Sequence, residues 1–369
     1  MNILQIRGEF RDNGPGTQSL YISRELIRRG HKVFAISSGG VMVEKFEQNG
    51  ITHTQIPYIA YGKRNPLNIL KSIFLLRKYF DKHTIDVVHA HNAATLYMAY
   101  LASRFLKDKE ISFFHSCRGI ELRKMFTWRN WIYKKYPATI FAVSQWTKEQ
   151  LINIGVDSKK IIVTNNGVDT DKYDITKKEQ FKKEIRDEYK IPYDSIVIGI
   201  VGALGSKGHD ELIRAFSMIK DEFPDAYLLI VGGGEKLEEF KNLAIEKGIS
   251  KRCVFTGLRM DSYKLHAAMD IFCLASYWGE MFPNVLLEAM AYANPLISTK
   301  LSGIPEIVTE DVGFLIEPKN TRELAEKLKI LLKNDNLRAK LGRNAYSKLK
   351  SKYTISKIVD KIETAYLTK

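Results

Sequence analysis

Two glutamates, Glu280 and Glu288, bracket the segment Met281-Phe282-Pro283-Asn284-Val285-Leu286-Leu287, which begins just after the apolar run Ile271–Ala275. Proline suits the first position of a helix, where its missing N–H costs nothing, so the spacing predicts a helix over Pro283–Ala291. The first turn of a helix exposes unpaired N–H groups at the positive end of its dipole, which lets Asn284 and Val285 donate to a phosphate. Glu280 then lies in the loop before the helix and Glu288 inside it, two carboxylates at different depths along one ligand. Taken alone, the segment also suits an amphipathic helix with a capping acid.

Further polar candidates follow other apolar runs. Gly202 and Lys207 come after Ile196–Val201, and Gly233 sits in the glycine run that closes Ala226–Val231. Gly16 lies in Asn13-Gly14-Pro15-Gly16-Thr17-Gln18, a turn that would let backbone approach a phosphate closely. His91 ends the run Val87–Ala90, and His115 and Arg118 end Ile111–His115. His89 and His91 share a face only if their strand continues, and no carboxylate or cysteine completes a metal set. Asp169-Thr170-Asp171 copies a metal-binding D-x-D, but lies in a linker instead of at a strand end, and is not read as a metal site.

These residues must be positioned by strands and helices in alternation. Apolar runs at Ile3–Ile6, Val33–Ser37, Val87–Ala90, Ile111–His115, Ile140–Val143 and Ile161–Thr164 read as buried strands, with helical patterns at Gln18–Arg29, Pro66–Phe80 and Ala94–Phe105 between them. The pattern restarts with Ile196–Val201, Ala226–Val231, Cys253–Thr256, Ile271–Ala275 and Pro295–Ser298, and two helices close the chain. The fold class is therefore α/β, with two Rossmann-like, doubly wound parallel sheets facing across a cleft. Residues 1–168 form the first domain and 169–353 the second, while a terminal helix at about 354–369 returns to the first. Ligands of such sheets bind beyond the carboxyl ends of the strands, where the candidates lie.

Composition narrows the class. A chain of 369 residues with 45% apolar and 27% charged residues is globular and long enough for two cores. Residues 1–165 hold 25 Lys and Arg against 12 Asp and Glu, and the remainder 32 against 30. The basic half implies an anionic partner, or a face kept positive for solubility. The start reads as a strand, not as a signal peptide. Nothing approaches the roughly 18 uncharged apolar residues of a spanning helix. Cys117, Cys253 and Cys273 are scattered, which fits a reducing, cytoplasmic compartment. Aromatics interleaved with cations over Met125–Tyr136, and the apolar, basic Leu67–Lys82, suit either the inner face of an anionic membrane or packing on their own sheet.

The pattern E-x-F-P-N-x-L-L-E-A-M-A resembles the signature of retaining glycosyltransferase family 4, a GT-B fold group. The resemblance extends in order along nearly the whole chain, through Asn166-Gly167-Val168-Asp169, Val201-Gly202-Ala203-Leu204 with Lys207-Gly208, Val231–Gly234 and Ser302–Glu306. It implies a transferase that moves a sugar from a nucleotide-diphosphate donor, with no metal or other cofactor. Lys207 would contact the donor diphosphate, Glu280 the sugar hydroxyls and Glu288 the ribose, with Gly16, Gly202, Gly233, Phe282, Pro283, Asn284 and Val285 lining the donor. Ala203 stands where the family places a phosphate-binding arginine, and Met281 where glycine is common. The family's sugar-site histidine aligns with Arg118 on spacing, or with His115 by residue type, and His91 lines the cleft. The expected acceptor is a saccharide linked to polyprenyl diphosphate, in the assembly of a bacterial surface polysaccharide such as O-antigen or capsule. A sugar-nucleotide epimerase of the same fold is the alternative. A nucleic-acid-binding protein is disfavoured because its recognition signatures are missing, and an oxidoreductase because Leu237 replaces the third glycine of G-x-G-x-x-G.

Overall fold

The computed structural model describes residues 1–104, 106, 110–119 and 128–368, with side chains omitted at 128–130. Two compact units result: Met1–Gly167 with Ile355–Lys369, and Val168–Thr354. The first holds β1 (Asn2–Ile6), β2 (Lys32–Ser37), β3 (Thr52–Gln55), β4 (Val87–Ala90), β5 (Ser112–Cys117), β6 (Thr139–Ala142) and β7 (Ile161–Val163), all parallel, in the order β3-β2-β1-β4-β5-β6-β7. The second holds β8 (Ile196–Val201), β9 (Ala226–Val231), β10 (Cys253–Gly257), β11 (Ile271–Leu274), β12 (Leu296–Thr299) and β13 (Gly313–Ile316), in the order β10-β9-β8-β11-β12-β13. Each sheet is wound in both directions from a central pair, β1 beside β4 and β8 beside β11. At such a reversal the loops diverge and leave a crevice at the carboxyl ends.

The central strands are largely apolar because helices cover both faces: Ile3, Leu4, Val197, Ile198, Ile271 and Phe272 are all buried. Burying each such side chain contributes about 1.5–3 kcal/mol. Sequence periodicity passes over two strands. β3 reads Thr-His-Thr-Gln and is half exposed, because an edge strand has one hydrogen-bonded neighbour and needs no apolar run. β13 is four residues at the opposite edge of its sheet.

Each unit is closed by long-range polar contacts. Gln18 donates to the Gly167 carbonyl at 2.7 Å and accepts its N–H at 3.0 Å. The terminal helix, Ile355–Leu367, lies on the first unit through Arg29 and Glu363 at 2.8 Å and the hydroxyl of Tyr366 against His89 Nδ1 at 2.6 Å. In the second unit the buried Arg186 pairs with Asp270 at 2.7 Å, and Asp270 accepts the Val197 N–H at 2.8 Å, which fixes the start of β8. No helix among the described residues is long and apolar enough to cross a membrane.

Candidate active site

The second unit gathers most of the chemistry at its switch point. Beyond β8, Gly202 N–H donates to the Val231 carbonyl at 2.9 Å and Leu204 N–H to Gly233 at 3.1 Å, which joins the loops after β8 and β9. Lys207 is followed by Gly208 at φ +81°, where an added Cβ would fall 2.2 Å from the Ala275 carbonyl oxygen. Only glycine lets the helix His209–Ser217 begin this close to the end of β11.

That approach carries Lys207 to Glu280. Its Nζ donates to Glu280 Oε1, which also accepts from Ser276 Oγ at 2.9 Å. The Glu280 side chain is 5% exposed, so its charge needs these partners. Ser276 is held in turn by Thr299 Oγ1, which donates to its carbonyl at 2.7 Å. Ser276 and Thr299 were not singled out in the sequence, although Ser276 immediately follows the apolar run that marks β11.

The next helix runs Asn284–Ala291, and Pro283 is its cap residue, with φ −69° and ψ 124°, not its first helical residue as expected. Asn284 and Val285 open the first turn, and the buried Phe282 packs edge-on against Tyr353 at 5.5 Å between ring centroids. Glu288 is half buried, with Oε2 3.3 Å from Nε2 of the fully buried His266, a neighbour the motif does not disclose.

His209, one residue beyond Gly208, is buried and stacks on Phe240 at 5.8 Å. Burial, and then the charge of Lys207, lower its pKa to about 4. Above its ordinary value of 6.5 the ring is neutral folded or unfolded; below it the unfolded chain takes up the proton first. Stability is therefore lost as pH falls from 6.5 toward 4. His209→Phe is expected to make the second unit less sensitive to acid than the native chain, by about 2 kcal/mol at pH 5, in paired denaturant titrations at pH 7 and pH 5. Parallel pH dependence in the two proteins would refute this.

The first unit carries its own crevice, a cavity of about 320 Å³ beyond β1 and β4. Arg7, Arg11, Arg64, His91, His115 and Arg118 line it, so Arg118 and His115, alternatives in the sequence, share one wall. Arg118 donates to His91 Nδ1 at 2.9 Å, so His91 Nε2 carries the proton and donates to Gln5 Oε1 at 2.6 Å. Burial holds His91 well below the usual histidine range, aided by His89 and Arg118. His115 Nδ1 lies 3.0 Å from the Ala90 carbonyl and its ring stacks on Tyr133 at 5.3 Å. His89 stacks on His91 at 4.5 Å and bonds Ser116, which lines the cavity, and Tyr366 of the terminal helix.

Gly16 lies in the first turn of a capped helix, packed tightly against the preceding loop. Asn13 caps the helix Gly14–Arg28, and a Cβ on Gly16 would fall 2.0 Å from the Arg11 carbonyl oxygen. Its neighbours Asn13 and Pro15 line the cavity, whereas Gly16 itself serves close backbone packing. Of the Arg118-Gly119-Ile120-Glu121 run, the last two lie outside the described residues, as do Met125–Thr127 of the aromatic segment. Among the described residues no group of three or more His, Cys, Asp or Glu could hold a metal ion.

Paired parallel sheets, each with polar residues beyond its switch strands, are the architecture of the GT-B glycosyltransferases. A crystal structure of a glycosyltransferase from Rickettsia africae ESF-5 matches with a TM-score of 0.85 over 99% of this chain and 97% of its own, at 24% identity. Residues 12–172 match the family model described as Glycosyltransferase Family 4, and residues 181–348 that described as Glycosyl transferases group 1. The chain belongs to this family and is a glycosyltransferase. It is 28% identical to N-acetyl-alpha-D-glucosaminyl L-malate synthase of Bacillus anthracis, over 96% of this chain and 93% of that protein. It is 27% identical to UDP-Gal:alpha-D-GlcNAc-diphosphoundecaprenol alpha-1,3-galactosyltransferase of Escherichia coli, over 81% and 79%.

Proposed function

We propose that the chain transfers a sugar, with retention of configuration and without a metal, from a nucleotide-diphosphate donor to a polyprenyl-diphosphate-linked saccharide in the assembly of a surface polysaccharide. The observation that carries this reading is the ion pair of Lys207 with the buried Glu280 at the start of the Asn284–Ala291 helix. A donor diphosphate exchanges with Glu280 for Lys207, and the released carboxylate accepts hydrogen bonds from the sugar hydroxyls. The bond from the anomeric carbon to the diphosphate oxygen breaks. The acceptor oxygen bonds that carbon on the same face, and its proton passes to the departing phosphate. Lys207 and the amides of Asn284 and Val285 stabilise the charge that develops there, work that asks for preorganised donors and no metal. The Escherichia coli relative, by its name, uses UDP-Gal and a diphosphoundecaprenol acceptor, which supports the same pairing here.

The test is transfer from a panel of sugar nucleotides to synthetic lipid-diphosphate saccharides in excess EDTA. The anomeric configuration of the product is then read by NMR. Inversion, loss of activity in EDTA, or nucleotide diphosphate release that needs no acceptor would each remove part of the reading.

The membrane side of the proposal has its own support. On the helix Pro66–Lys82, Leu67, Leu70 and Phe74 lie on one face and remain 69%, 63% and 55% exposed, with Lys78 4.5 Å from the Phe74 ring. Aromatic and aliphatic side chains framed by cations suit the surface of an anionic bilayer. The protein is expected to sediment with phosphatidylglycerol vesicles and not with phosphatidylcholine vesicles, and Leu70→Glu with Phe74→Glu to abolish this. Undiminished sedimentation of the double variant would move the contact elsewhere.

A further inference from the structure

The cavity of the first unit has the chemistry of an oxyanion site. Among the described residues its lining includes four guanidinium groups, from Arg7, Arg11, Arg64 and Arg118, but one carboxylate, Glu9, which Arg11 engages at 2.7 Å. Arg7 Nη1, Arg118 Nε and His115 Nε2 are buried and have no hydrogen-bond partner among the described residues, and His115 is 1% exposed. Two helices, Gly14–Arg28 and Ala93–Ser103, begin at the rim, where Pro15, Ala93 and Ala94 line the space. Their positive dipole ends add to the arginine charge.

The arginines are crowded at a cost. Burial and then Arg11 lower the Arg7 pKa to about 10, and burial and then Arg7 lower that of Arg118 to about 9. Neutral sugar hydroxyls would leave that repulsion in place. A phosphoryl group would relieve it, accept the unmade N–H bonds and match the planar forks in pairs.

We infer that this cavity binds a phosphoryl group of the acceptor, gripped by Arg7 and Arg118, an assignment that rests on the chain being a transferase whose acceptor enters the first unit. A diphosphate brings two to three negative charges to Arg7 and Arg118, which no carboxylate among the described residues engages, whereas a single carboxylate brings one. The phosphoryl group thus makes the charge, not only the sugar, a determinant of which acceptor is taken.

Calorimetric titration of the full chain with inorganic pyrophosphate tests the site, with Lys207→Ala used to remove binding at the donor loops. Pyrophosphate is expected to bind that variant, and the added change Arg7→Ala or Arg118→Ala to raise its dissociation constant about tenfold or more, with Arg118→Lys intermediate. Uridine diphosphate affinity, measured with Lys207 intact, should be the same in the arginine variants as in the native chain, which reports an intact fold. Pyrophosphate binding lost with Lys207 alone, or malonate binding better than pyrophosphate, overturns the phosphoryl assignment. Transfer provides the separation from the wider reading. Equal use of a diphosphate-linked saccharide and its neutral alkyl glycoside, unaffected by Arg7→Ala, sinks this site and leaves the transferase standing. Pyrophosphate held by the arginines, with no transfer from any sugar nucleotide, does the reverse.

Discussion

Glu280→Gln lowers kcat by about a thousandfold while nucleotide diphosphate binding holds or tightens. The two effects come from one geometry. Glu280 Oε1 takes hydrogen bonds from Lys207 and Ser276, and its side chain has almost no solvent of its own. In the proposed reaction the carboxylate accepts from the sugar hydroxyls, and an amide can accept from them only at one atom and without charge. Hydrogen bonds to a charged partner are about twice as strong as neutral ones, and the loss falls on the reacting sugar. In the free chain the same carboxylate competes with phosphate for Lys207, so its neutralisation favours the nucleotide. Single-turnover kinetics with a sugar nucleotide, beside calorimetry with the nucleotide diphosphate alone, separate these effects. Native turnover in a folded Glu280→Gln chain would remove Glu280 from the chemistry, and weakened nucleotide binding would refute the competition.

Lys207→Ala is expected to fail in the opposite sense, with weaker donor binding by about 10- to 100-fold and slower turnover as well. Its side chain is 29% exposed, and among the described residues it is the one cation paired with Glu280. Removing it takes away the proposed phosphate contact and leaves a buried carboxylate with Ser276 as its remaining described partner, which costs more than an ordinary surface charge would. Lys207→Arg should recover affinity in part, since it restores charge but not the shape of the contact. Ala203 is exposed on the same loop, and Ala203→Arg is a complementary gain-of-function change expected to tighten donor binding. The measurement is the donor KM against kcat across the three variants. A loss in kcat with unchanged donor KM would place Lys207 away from the ground-state diphosphate.

Much of the second unit was legible in the chain because its signals are local. Glycine at position 208, proline at 283 and glutamates at 280 and 288 are dictated by a left-handed backbone, a helix start and one strand–loop–helix segment. The motif therefore marks the site before any sheet is assembled. The first unit was less legible. Arg7 and Arg64 belong to no local pattern, and β3 has none of the apolar character that marks a strand. Arg118 and His115, offered by the sequence as alternatives, both line one cavity, because spacing along a strand end says nothing about what a neighbouring strand brings beside it.

The sequence by itself determined the strand and helix alternation, the motif that spans Glu280 and Glu288, and the basic character of the first half. These depend on side-chain type and on spacings of a few residues. Only the tertiary structure decided that Lys207 reaches Glu280 across 73 positions, that Glu288 faces His266, and that Arg118 is oriented through His91 by Gln5. The Lys207–Glu280 and Arg118–His91–Gln5 contacts join loops and strands made adjacent by strand order, β8 beside β11, β4 beside β5 and β1 beside β4, whereas Glu288 and His266 lie on the helices that flank β11. Parallel crossovers make neighbours of strands far apart in the chain, and no local pattern carries that order.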